Sequence, residues 1–128
     1  MSLPADRWDA HMSHFHDVAR DLRQPTRELR TAIPETWAGF AELHRSAMAE
    51  GELPTRIKEL MALVVAVVKH CDGCIAYHAR AAVAAGATEA EAAEALGVAL
   101  LMDGGTASVW APRALDAFRE FAPTPPAE

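Results

Sequence analysis

LMALVVAVVKHCDGCIAYH, residues 60–78, runs an apolar stretch into a Cys-x-x-Cys pair, with a histidine four residues after the second cysteine. The apolar part, residues 60–68, falls well short of the roughly 20 residues needed to cross a bilayer, and charged Glu59 and Lys69 flank it. It reads as a helix buried on nearly every side. Asp72-Gly73 supply a tight entry, so the spacing predicts that a new helix begins inside CDGC. The question is whether this segment is a thiol redox centre, a corner of a metal site, or helix interior that contains sulfur.

Outward from this stretch the chain reads as helical throughout. Ala, Leu, Glu and Arg dominate, β-branched residues cluster only at Val64, Val65, Val67 and Val68, and no long alternation of period two appears. A first helix is predicted over about residues 6–23, with Trp8, Met12, Phe15, Ala19 and Leu22 on its face, ending before Pro25. Pro34 suits the first turn of a second helix that Gly51 closes, with Glu35 at its positive end. Pro54 opens a third over about residues 55–70. The CDGC helix ends at Gly86. Thr88 and Glu91 have the spacing of a reciprocal capping box for a fifth, which Gly104-Gly105 finishes. A sixth reaches about Phe121, and Pro112 is expected to kink or split it. Trp37, Phe40, Met61 and Met102 fall at core spacing. The expected architecture is an all-α single domain of five to six helices spanning residues 1–128, with its core at about 30–121 and a disordered tail at 122–128.

Composition narrows the function. The chain is 51% hydrophobic and carries a net charge of -6, so it lacks the basic stripe that would neutralise phosphates. Nucleic acid and anionic membranes are therefore not expected as partners. No charged, then apolar, leader opens the sequence, which makes a cytoplasmic address the expectation. In a reducing compartment a cysteine pair is more often catalytic or metal-binding than a structural staple.

Where a helix starts, unpaired N–H groups and the positive end of its dipole favour thiolate over thiol, and a spacing of three brings Cys71 and Cys74 to one side of the first turn. His78, four residues past Cys74, shares that sulfur's face. Glu59 is the one carboxylate on the inward side of the preceding helix, on a face continued by Ala62, Leu63, Ala66 and His70. If the two helices pack, Glu59 can set the protonation of His78 or relay a proton to sulfur. Plainer readings stand beside this one. The cysteines could simply pack, or Cys71, Cys74, His78 and His70 could hold zinc. Glu59 could be a dipole partner or pair with Arg56 or Lys58. His11, His14 and His16 do not share one helix face and read as solvated.

The stretch from Glu59 to Gly105, with Cys71, Cys74, His78, the Gly86-Ala87-Thr88 turn, Glu91 and Gly104-Gly105, resembles the core of the carboxymuconolactone decarboxylase family, on its alkylhydroperoxidase D-like branch. That resemblance implies an all-α fold with interlocking subunits, as homotrimers or homohexamers, and a thiol-dependent peroxidase or disulfide oxidoreductase acting on hydroperoxides. By carry-over Cys74 is the inner, peroxide-attacking sulfur and Cys71 the outer, resolving one, which meets an external dithiol reductant of protein or lipoyl type. His78 and Glu59 match the proton-relay positions. No cofactor and no metal are implied. The chain departs from the best-known peroxidases at Gly73, where they have a histidine. The alternatives are a lactone-acid decarboxylase, with Arg80 or Arg113 binding a carboxylate, and a non-catalytic oligomeric or metal-binding module.

Overall fold

The computed structural model describes residues 14–123. Among them are six helices: α1 (His14–Ala32), α2 (Pro34–Met48), α3 (Thr55–Val68), α4 (Asp72–Ala84), α5 (Glu89–Asp103) and α6 (Ala107–Phe121). The all-α architecture expected from the sequence is the one observed. The start of the first helix, with Trp8, His11 and Met12, and the tail past residue 123 lie outside the described residues.

Helices α3 and α4 form the centre, packed on each other and on α6. Helix α5 lies against α3 and α6, while α1 covers α4 and the end of α6. Leu63, Val67, Ile75, Ala76, Ala79, Leu96, Ala99, Ala111 and Ala114 make the main core, and Leu60, Ala82, Ala92 and Phe118 a second cluster. So many alanines at buried positions let helix axes approach closely. Dispersion contacts between backbones then replace those of large side chains.

Local signals explain most of the boundaries. Thr88 accepts from the Glu91 N–H while Glu91 accepts from the Thr88 N–H, the reciprocal box foreseen for α5. Helix α4 ends in a paired turn, with the Gly86 N–H on Val83 O, the Ala87 N–H on Ala82 O, and Gly86 at a φ of 92°. Helix α3 ends two residues sooner than expected, in the same device. The His70 N–H bonds Val67 O and the Cys71 N–H bonds Ala66 O, with His70 at a φ of 56°. A histidine thus occupies the left-handed position that glycine usually fills.

Two expectations concern prolines. Helix α1 runs through Pro25 instead of ending before it, and of the kink or split expected at Pro112 the split does not occur, α6 being one element across it. In α6 tertiary burial outweighs the lost hydrogen bond, with Ala111, Ala114, Ala117 and Phe118 as anchors, whereas α1 buries only Phe15, well before Pro25, and no burial accounts for its continuation. A third correction concerns apolar spacing. Helix α2 buries none of its residues, and Phe40, Met61 and Met102 are exposed rather than part of the chain's own core.

Candidate active site

The two cysteines meet at the junction of α3 and α4. Cys71 is the N-cap of α4, its Sγ accepting the Cys74 N–H at 3.2 Å, and the Ile75 N–H closes on Cys71 O. The sulfurs are joined in a disulfide, with Cα atoms 5.2 Å apart. A sulfur at the N-cap accepts one of the helix's orphan N–H groups, so a thiolate formed there is stabilised by that donor and by the dipole. The exposure order is the reverse of that implied by the resemblance. Cys74 is exposed and Cys71 half-buried in this chain. Cys71 folds back over the first turn as its cap, and Cys74 is the third residue of that turn.

Glu59 is brought to the site as the sequence reading expected. Its side chain is buried, and Oε2 lies 2.8 Å from Nδ1 of His78. With the carboxylate ionised, Nδ1–H donates and Nε2 is left as the nitrogen that exchanges protons. The plainer partners of Glu59 are engaged elsewhere: Arg56 pairs with Glu91 at 3.2 Å, and Lys58 donates to Ala49 O at 2.7 Å. A buried carboxylate is costly unless paired. His78 is the partner that makes it tolerable.

Several contacts that support the site had no signal in the sequence. Asp72, between the cysteines, accepts both of its oxygens' bonds from Arg113 Nη2, at 2.9 and 3.1 Å. The Arg113 guanidinium in turn lies over the Trp110 ring at 4.8 Å, and His14 Nε2 approaches Asp72 at 3.4 Å. This fixes the CxxC entry to α6. It also means that Arg113 is already spent on a carboxylate of its own chain. His70 stacks on Trp110, centroids 5.1 Å apart and 9° from parallel, with Nε2 3.8 Å from Asp103. Tyr77 packs edge-on against both His78 and His44.

Gly73 faces the end of the half-exposed Leu22 side chain, which can swing aside. A Cβ on Gly73 would fall 2.9 Å from Leu22 Cδ1 of α1. His14 and His16 serve as tethers. Glu120 accepts from the Phe15 and His16 N–H groups at 3.2 and 2.7 Å, and from His16 Nδ1 at 2.6 Å, capping the start of α1. Among the described residues no three His, Cys, Asp or Glu side chains gather as a metal-holding group, and no helix is long and apolar enough to cross a membrane.

The profile of the Carboxymuconolactone decarboxylase family matches residues 34–117, which take in α2 to α5 and most of α6. The chain belongs to that family. A crystal structure of an apo carboxymuconolactone decarboxylase family protein from Legionella pneumophila superposes with a TM-score of 0.84 at 37% identity, covering 87% of this chain and 99% of that one. An uncharacterised protein of Cupriavidus necator is 36% identical over 90 residues, 70% of this chain and 80% of its own length. Uncharacterised protein 4 in the cox locus of Paracoccus denitrificans is 38% identical over 82 residues, 64% of this chain and 74% of that protein. The family resemblance carried by Glu59, the CxxC pair and the turn at 86–88 is therefore sustained over most of the chain.

Proposed function

We propose that this carboxymuconolactone decarboxylase family protein is a thiol-dependent peroxidase, reducing hydroperoxides through the Cys71–Cys74 dithiol with the His78–Glu59 pair managing protons. The observation that carries the reading is the conjunction of a bonded CxxC pair at the N-cap of α4 with His78, one turn past Cys74 on that helix, held by the buried Glu59 carboxylate of α3. Cys74 is the attacking sulfur, because it is exposed and shares a helix face with His78. Its thiolate takes the terminal oxygen of ROOH, the O–O bond breaks, and ROH leaves with a proton from the imidazole. The Cys71 thiol then gives its proton to the imidazole, its thiolate displaces hydroxide from the sulfenic acid, and the returned proton makes water as the disulfide closes.

Two electrons from an external dithiol restore the pair. The incoming thiolate attacks exposed Cys74 and expels Cys71, whose developing charge is stabilised by the Cys74 N–H at the cap. The family resemblance supports a homotrimer or homohexamer acting with a protein or lipoyl-type dithiol. The decarboxylase alternative loses one of its two candidate carboxylate binders, since Arg113 is held by Asp72.

The test is peroxide consumption by wild type, Cys71→Ser and Cys74→Ser with a dithiol reductant. Cys74→Ser should be inert, and Cys71→Ser should accumulate a sulfenic acid that dimedone traps. Wild-type rates in both variants would end the peroxidase reading.

A further inference from the structure

The chain is acidic overall, yet the described arginines that have no carboxylate partner among the described residues are gathered in one place. Arg20, Arg45, Arg56, Arg113 and Arg119 each pair with a carboxylate. The other described arginines, Arg23, Arg27, Arg30 and Arg80, have no carboxylate within ion-pair distance among the described residues, and all four line a single groove between α1 and α4. Helical spacing puts them there. Positions 23, 27 and 30 share a face of α1, as 73, 77 and 80 do on α4. The groove has a volume of about 320 Å³, and its other walls include Leu22, Tyr77 and Gly73. It sits at the lower end of the range for small-molecule sites, roughly 300–1,000 Å³.

Its place relative to the chemistry is the second point. Gly73 lies between the two cysteines, and with no side chain there the groove reaches the backbone of the CxxC turn. Arg80 is held over the Phe121 ring at 5.9 Å, at the far end of the α4 face. Guanidinium groups match carboxylates two bonds at a time, and four together raise the local potential for an anion well above that of an otherwise acidic surface. Leu22, Ala19 and Tyr77 add an apolar wall, which suits the body of an organic acid better than a small inorganic anion.

We propose that this groove binds the carboxylate of an amphipathic organic acid, so that the preferred substrates are hydroperoxides of carboxylic acids with an apolar body. The inference rests on the peroxidase reading for its chemical step, which is unchanged: the O–O bond breaks at Cys74, the hydroxy acid leaves, and the dithiol supplies two electrons.

Pre-reduced protein is mixed with linoleic acid hydroperoxide or its methyl ester, both below their aggregation limits, and loss of free thiol is followed. Binding of unoxidised linoleic acid and of inorganic phosphate to the disulfide form is measured by calorimetry at low and high salt. The acid is expected to react at least tenfold faster than the ester in kcat/KM. In Arg27→Gln/Arg80→Gln the ratio should fall towards one through a raised KM, and linoleic acid binding should be weakened by salt and lost in the variant. Equal rates for acid and ester without linoleic acid binding would overturn the inference, as would phosphate binding as tightly as the fatty acid, or a variant that slows both substrates and keeps their ratio. Salt-sensitive binding that needs the arginines, with no hydroperoxide oxidising the thiols, would uphold the carboxylate groove and overturn the peroxidase reading instead.

Discussion

At the scale of single residues the site turns on a pair that neither partner can leave cheaply. Glu59 is buried against His78. Removing the imidazole strands a carboxylate in the interior, so His78→Ala should cost on the order of 2–3 kcal/mol by urea unfolding, whereas Glu59→Gln, which keeps an acceptor for Nδ1–H, should cost less. Peroxide turnover should fall in both, by roughly a hundredfold or more for His78→Ala. Equal stability of the two variants would show that the pair is not held as described. Glu59, His78 and the cysteines were legible because helix periodicity relates positions three, four and seven apart, and because a lone carboxylate in an apolar helix is conspicuous. Asp72 and Arg113 were not legible as partners. They are 41 positions apart, and nothing local in the sequence couples them. His70 gives a further test. Its left-handed backbone costs a non-glycine residue about 1 kcal/mol, and its ring recovers some of this on Trp110. His70→Ala keeps the strain and loses the stacking, so it should melt below His70→Gly, by about 1 kcal/mol in stability. The reverse order would show that the backbone is not strained there.

At the scale of elements, the ends of helices were easier to read than their interiors. The capping box of α5 was visible as Thr88 and Glu91, and Gly86 marked the end of α4, because these devices are built from residues adjacent in sequence. The split allowed for at Pro112 does not occur because the energy that carries a helix across a proline comes from distant surfaces, here those beneath Ala111 and Ala114. The capping box also makes stability depend on pH. The bond from the Thr88 N–H, and after it the Arg56 guanidinium, hold the Glu91 carboxyl below the usual glutamate range. A depressed folded pKa stabilises the native state fully above the ordinary glutamate value, and this contribution fades as pH falls through the folded one. Melting curves of wild type and Glu91→Gln should therefore differ most near neutrality and converge on acidification. A gap that widens towards low pH would contradict the geometry. Thr88→Ala, which removes the other half of the box, should cost about 0.5–2 kcal/mol.

At the scale of the whole molecule, the unfinished surface is the most informative feature. Phe40 and Leu43 on α2, Met61 and Val65 on α3, and Val98, Leu101 and Met102 on α5 are all exposed, Leu101 to 82%. A cavity of about 390 Å³ opens among Ile57, Met61, Val64, Ala95 and Val98 on the same side of α3 and α5. Apolar spacing in a sequence states that a face will be buried, not which chain will bury it. That is why Phe40, Met61 and Met102 had the pattern of core residues and yet lie outside the core of this chain. Exposed apolar side chains beside an apolar cavity mark an interaction surface. The proposal of a homotrimer or homohexamer supplies its cover and turns it into a measurement. Sedimentation at micromolar protein should give a mass several times that of one chain, and Leu101→Glu/Met102→Glu should shift it towards the monomer by placing carboxylates in a desolvated interface. The same variant should leave helicity intact, since both side chains are already in water in the single chain. A wild-type protein that sediments as a monomer would leave this apolar surface without the cover proposed for it, and would count against the interlocked arrangement implied by the family resemblance.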